Sequence, residues 1–235
     1  MSYVDLHSHV LFGLDDGSPD LATSRAMLDG LASLGFAEVC ATPHQKAGQF
    51  LPAWADVEAT YAALRATGEH PTLRLAAENM WDDVFFGRLT AGEIPSYDGG
   101  PAYLVELRPS AMPVGLEDQL FRQRVAGRLP VLAHPERYSA LWDDEALLLR
   151  LREHCAFTVD LGALAGAHGR REAKAARRYV EEGLAHAVAS DAHSVADVAL
   201  AAEGIAWIRK RCGEAAVTRL LDTHPRAILA GELPS

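Results

Sequence analysis

The chain has 235 residues, 49% apolar and 23% charged: enough apolar material for a sizeable core, and an ordinary charge content that argues against disorder. Its 22 basic and 32 acidic residues give a formal charge of −10, which argues against general binding to a phosphate backbone. Three widely spaced cysteines, Cys40, Cys155 and Cys212, make neither a disulfide framework nor a zinc ribbon, and no apolar run is long enough to span a bilayer.

Short β-rich runs alternate with longer helical patterns, the rhythm of βα units around a largely parallel sheet. Strands are expected near residues 3–9, 37–42, 72–77, 102–107, 130–133, 157–161 and 186–190. Helices are expected over 21–34, 55–66, 116–126, 144–154, 171–183 and 197–211, with two short terminal ones at 214–221 and 225–230. Ser18 is the expected N-cap of the first helix, with Pro19 in its first turn and Gly35 just past its end. About seven such repeats with no linker predict one α/β domain over 1–235, a barrel with its chemistry at the C-terminal strand ends. An open doubly wound sheet is the other architecture, and the lack of a Gly-rich phosphate loop counts against its nucleotide-binding forms. The N-terminus lacks the basic-then-apolar order of a secretory signal, so a cytoplasmic location is expected.

Ligand-type residues fall where these strands end. His7 and His9 flank Ser8 on the first strand and, by strand alternation, face one way. The second run ends Ala41-Thr42-Pro43-His44, the third Ala77-Glu78, the fourth carries Glu106, the fifth ends Ala133-His134-Pro135 and the last Ser190-Asp191-Ala192-His193. Several carboxylates on neighbouring strands repel one another unless cations intervene, and the mixed His/carboxylate set suits two or three ions of zinc, manganese or iron better than calcium or magnesium. Asp15-Asp16-Gly17 reads alone as a turn, but beside His7 and His9 one Asp can complete a metal site. Arg137, three residues past His134, reads either as a surface salt bridge or as a phosphate clamp. Asp160 is set aside as an interior polar residue, and His70, His154, His168, His186 and His224 as surface, cap or core histidines. Trp142 and Trp207 read as core. Trp81, Phe85 and Phe86 are either core or a rim suited to a tyrosine ring. The basic stretch from Arg170 to Arg178 reads as a solvated helix face that could also meet an acidic partner. No Gly-x-Ser-x-Gly elbow or reactive cysteine motif offers a covalent nucleophile.

Taken in order, His7-Ser8-His9-Val10-Leu11 with Asp15-Asp16-Gly17, Ala41-Thr42-Pro43-His44, His134-Pro135-Glu136-Arg137-Tyr138, Ala189-Ser190-Asp191-Ala192-His193 and the terminal Thr223-His224-Pro225-Arg226-Ala227 resemble the bacterial capsule-type protein-tyrosine phosphatases of the polymerase and histidinol phosphatase superfamily. The resemblance implies a distorted seven-stranded βα barrel and a three-metal site, often of manganese or iron. The implied substrate is phosphotyrosine on a tyrosine kinase that controls capsule or exopolysaccharide export. Carried over by motif, the ligands are His7, His9, Asp16, His44, Glu78, Glu106, His134, Asp191 and His193, with Asp15 beside them. The expected mechanism is attack on phosphorus by a hydroxide bridging two ions, with Arg137 on the phosphoryl oxygens and His44 as a candidate proton donor. Where the family carries a further arginine after the last motif, this chain has Ser194-Val195-Ala196-Asp197. Two other functions compete: a small-molecule phosphatase, such as one for histidinol phosphate, and a non-catalytic regulator that binds a kinase tail and keeps its metals for stability.

Overall fold

The computed structural model describes residues 2–68 and 71–235; His70 lies outside the described residues. The fold is mixed α/β with every strand pair parallel. Strands β1 (Tyr3–Ser8), β2 (Phe36–Ala41) and β4 (Thr72–Leu75) form one sheet in the order β1-β2-β4. The other sheet holds β3 (His44–Gln45), β5 (Glu78–Met80), β6 (Ala102–Glu106), β7 (Leu129–Ala133), β8 (Ala156–Asp160) and β9 (Ala187–Ala189), in that order. Strands β6, β7 and β8 are buried along their whole length, which is why they read as largely apolar runs, while β1 is as fully buried although it carries Asp5, His7 and Ser8.

Two of the expected strands are each broken in two. The run at 37–42 stops at Ala41 and resumes at His44; the run at 72–77 stops at Leu75 and resumes at Glu78. Pro43, which has no N–H to give a ladder, sits in the first gap. Thr42 N donates to Ser8 O (2.9 Å), Ala76 N to Ala41 O (2.9 Å) and Glu78 N to Pro43 O (3.1 Å), so the chain stays tied across both breaks. At the other edge β9 runs on beside β1: His9 N donates to Ala192 O and Asp191 N to His7 O, both at 2.9 Å.

Strand side chains divide between two apolar clusters with the period of two that a pleated backbone imposes. In β6, Tyr103 and Val105 join the larger cluster packed against the helices, while Ala102 and Leu104 join a smaller one with Val4, Leu6, Val131 and Ala189. Glu106 is in phase with Ala102 and Leu104.

The helices are α1 (Leu21–Ser33), α2 (Trp54–Arg65), α3 (Asp83–Ala91), α4 (Leu116–Val125), α5 (Ala140–Asp143) and α6 (Glu145–Arg152). They continue with α7 (Leu161–Ala165), α8 (Arg170–Glu181), α9 (Val195–Cys212), α10 (Glu214–Thr218) and α11 (His224–Leu229), the last two joined by a π turn over Arg219–Thr223. The expected cap of α1 is corrected: Asp20, not Ser18, accepts from Thr23 N (2.8 Å), and Ser18 Oγ donates to Asp20 O (2.9 Å). Pro19 sets the chain's direction before the helix, and the carboxylate three residues ahead of Thr23 is the group in reach of the free amides. Gly35, at φ 101°, closes the helix in the left-handed region as expected. Helices α3, α5 and α7 have no counterpart in the sequence expectations. Among the described residues no helix is long and apolar enough to cross a membrane.

Candidate metal centre

Where β1 ends, the chain places His7 and His9 on one side, their Nε2 atoms 3.1 Å apart. The loop after β1 folds back so that Asp15 Oδ2 lies 2.9 Å from His9 Nδ1 and accepts from His44 N (2.9 Å), while Asp15 Oδ1 accepts from Gly17 N (3.0 Å). Gly17 is required by that approach: a Cβ there would lie 2.4 Å from His9 O. Glu78 stands at the centre of the cluster. Its Oε1 is 2.8 Å from His134 Nε2 and 3.5 Å from His7 Nε2; its Oε2 is 2.8 Å from His44 Nδ1 and 3.5 Å from His9 Nε2.

Asp191 Oδ1 reaches His7 Nε2 (3.3 Å) and His9 Nε2 (3.5 Å). Below it, buried Asp5 accepts from Ser190 N (2.9 Å) and Ser190 Oγ (2.6 Å), fixing the segment that carries Asp191 to β1. Both His134 (φ 35°) and Asp191 (φ 46°) adopt the left-handed conformation, unusual outside glycine and held here by the strand ends around them. Asp16 is on the open side, 51% exposed, with Oδ1 3.4 Å from His44 Nε2 and 3.7 Å from His193 Nε2.

The nine residues expected as ligands all fall in four overlapping groups whose ligand atoms lie within 4.8 Å of one another. These are His9, Asp16, His44 and His193; His7, His134 and Asp191; His7, His9 and Glu78; and His44, Glu78 and Glu106. The polar atoms of these groups also suit cations. Glu78 Oε2, Glu106 Oε2 and His44 Nδ1 are buried without a hydrogen bond, although the first and last approach to 2.8 Å. Their contact lacks hydrogen-bond alignment, and buried lone pairs left in that condition are costly unless an ion takes them. The nitrogen and oxygen donors and their number fit divalent transition-metal ions.

Electrostatics agree. Burial alone would push Glu78 and Asp191 upward, but His7 above all holds both carboxyls well below the usual range, helped by His134 and His44 at Glu78 and by Arg137 at Asp191. Burial would lower His7 and His9, but Asp191 and Glu78 raise His7, and Asp15 and Asp191 raise His9 well above the ordinary imidazole. Glu106 is pushed up to about 7 by burial and by the charge of Glu78; Lys46 Nζ stands 3.5 Å from its Oε2. His134 is pushed down to about 4 by burial and by neighbouring Arg137.

Arg137 follows His134 on a short 3-10 turn, Pro135–Arg137. Its Nη2 contacts Asp191 Oδ2 (2.5 Å) and Asp160 Oδ2 (2.7 Å), while its Nε is buried and unpartnered. Glu136 does not pair with it as a surface bridge: the glutamate is fully buried, and its Oε1 accepts from Asp160 N (3.0 Å). Asp160, set aside from sequence, is therefore part of this end of the molecule, and so is His168, whose Nε2 is 2.7 Å from Asp160 Oδ2. No sequence signal marks either: they lie 23 and 31 positions from Arg137. A cavity of about 230 Å³ opens here, lined by Arg137, Asp160, His168, Asp191 and His193 among others.

Phe85 is core, with Trp81 and Phe86 packed partly exposed against it, and Trp81 N donates to Glu106 O (2.9 Å). Phe50, not singled out by its sequence context, stacks on His44 at 5.7 Å. Ser194 and Asp197, where an arginine was expected, form a helix start: Ser194 Oγ donates to Asp197 Oδ2 (2.8 Å), which also accepts from His193 N (3.1 Å).

Residues 3–230 match the family model for capsular polysaccharide synthesis, CpsB/CapC. The chain belongs to the CpsB/CapC family. Among its CpsB/CapC relatives is the tyrosine-protein phosphatase YwqE of Bacillus subtilis, 30% identical over 204 residues, covering 82% of this chain and 78% of YwqE. The tyrosine-protein phosphatase CpsB of Streptococcus pneumoniae is 25% identical over 241 residues, 98% of this chain and 99% of CpsB. A crystal structure from work on these two proteins, described as unique metal-dependent tyrosine phosphatases, superposes with a TM-score of 0.87 at 26% identity, over 97% of this chain and 95% of that one. A β-aspartyl dipeptidase of Fervidobacterium islandicum shares the fold alone, with a TM-score of 0.59 at 13% identity over 99% of this chain and 74% of the dipeptidase.

Proposed function

We propose that this CpsB/CapC chain is a cytoplasmic, metal-dependent protein-tyrosine phosphatase that acts on a tyrosine kinase of capsule or exopolysaccharide synthesis. The observation that carries the reading is the cluster around Glu78: nine His, Asp and Glu side chains in overlapping groups, with buried lone pairs lacking partners, beside an arginine. The names of YwqE and CpsB supply the substrate class. The bonds that bring β9 beside β1 support one domain in which the two sheets make a distorted seven-stranded barrel.

His7, His9 and Glu78, with Asp191 in reach of both histidines, would hold one ion; His44, Asp16, Glu106, His134 and His193 complete positions for one or two more, with manganese, iron and zinc all suited to the donors. Divalent ions bound there supply positive charge for the phosphoryl oxygens and acidify water at neutral pH. The protein's own part is to aim and stabilise. Arg137 lines the cavity with part of its guanidinium exposed for a phosphoryl oxygen; burial works against its charge, but Asp191 and Asp160 hold the proton more tightly still, so the charge is permanent. His44 presents one nitrogen to Glu78 and the other toward Asp16 on the open side, so a ligand role through one leaves the other to hand a proton to the leaving phenolate oxygen. Phe50, stacked on His44, stands close enough to flank a tyrosine ring.

Protein stripped by chelator and reloaded with manganese is expected to release phosphate from a tyrosine-phosphorylated peptide and to leave histidinol phosphate largely intact. The reverse preference would move the enzyme to small-molecule metabolism. Turnover of neither would leave the regulator reading standing.

A further inference from the structure

We propose that Asp160 and His168 are positioning residues for Arg137, holding its guanidinium at the edge of the cavity where it would meet a phosphate. The inference rests on the phosphatase reading for its kinetic readout, but not for its binding readout.

Asp160 is the last residue of β8 and the start of α7, and its carboxylate is 3% exposed. Every bond it makes is directed. Oδ1 accepts from Gly162 N at 2.6 Å, and Oδ2 is shared by Arg137 Nη2 and His168 Nε2, both at 2.7 Å. It belongs to none of the groups that could hold an ion. A carboxylate buried this deeply needs a cation, and the one it has is the arginine at the edge of the cavity. His168, just after α7, takes a left-handed conformation (φ 67°), and from there its ring meets Asp160. Its ring is 40% exposed and lines the cavity. Since Nε2 must carry a proton to donate to Asp160, its 3.0 Å approach to Arg137 Nη2 sets two donors side by side on one oxygen.

The consequence concerns Arg137. Pulled by Asp191 alone, Nη2 would turn toward the centre of the cluster. Pulled by Asp160 as well, the guanidinium is braced between two carboxylates, and the exposed part of the side chain, 22%, is held in one orientation at the cavity.

The test is the affinity of manganese-loaded protein for inorganic phosphate, by calorimetry and as the inhibition constant, together with KM and kcat on a phosphotyrosine peptide. Asp160→Asn is expected to weaken phosphate about 10-fold and raise KM in step, with metal content unchanged. His168→Ala is expected to weaken it about 3-fold, and His168→Gln, which keeps a donor, to restore it. A merely structural role predicts lower thermal stability with unchanged phosphate affinity, and that result would overturn the proposal. So would loss of metal in Asp160→Asn. If wild type turned over no phosphotyrosine but Asp160→Asn still weakened phosphate, the substrate reading would fall and the positioning role would stand.

Discussion

His9 and His186 are equally buried, each 1% exposed, yet burial has opposite outcomes at the two sites. Around His9 stand Asp15, Glu78 and Asp191, and their charge holds the ring's proton affinity well above the ordinary value. At His186, next to the start of β9, no carboxylate answers: Nδ1 accepts from Phe157 N (2.9 Å), and burial, with Arg152 and His224, pushes the ring down to about 3. His224 is likewise tied to backbone, its Nδ1 2.8 Å from His186 O. A buried histidine is therefore a ligand candidate when carboxylates with unmatched lone pairs accompany it, and packing when the main chain already satisfies it.

The comparison breaks most readily by exchanging roles. His9→Ala is expected to lower metal-dependent phosphotyrosine turnover by about 1,000-fold or more, while His186→Gln stays close to wild type. Near-normal turnover with normal metal content in His9→Ala would remove the distinction.

Acid stability sharpens it from the other side. His186 has a folded pKa below its unfolded value, so its contribution is complete above about pH 6.5 and lost as pH falls toward 3. By pH 4 the loss should reach about 3 kcal/mol, estimated from that shift. His186→Gln, which cannot titrate, should flatten the acid limb of a denaturation series; an unchanged slope would mean the ring is not buried neutral.

With the proposed role at the phosphoryl oxygens, Arg137→Ala should cut kcat/KM about 100-fold and leave the metals largely retained. Metal loss in that variant would instead assign Arg137 to holding Asp191, which it also touches. The smallest effect expected is at the helix start that stands in place of an arginine. Ser194→Ala should cost about 1 kcal/mol in chemical denaturation and leave turnover nearly unchanged.

What could be read from residues alone follows the same physics. His7, His9, His134, Asp191 and His193 sit in short local patterns next to apolar runs, so spacing alone placed them at strand ends. Glu78 and His44 were legible as residues but not as positions: each opens a short resumed strand, because the breaks around Pro43 and after Leu75 depend on pairing between sheets and not on local propensity. Asp160 and His168 were unreadable because their meaning is a contact with Arg137 made across separate loops. Helices α5 and α7, four and five residues long, are too short to show a period.

Whether Glu78 and its neighbours hold divalent ions is read most directly from the number of manganese ions per chain after stripping and reloading, compared between wild type and Glu78→Gln. Two or three ions in wild type, with at least one lost in the variant while the fold is retained by circular dichroism, is the predicted result. A wild-type chain that takes up no ion, or a variant that binds as many as wild type, would contradict the account.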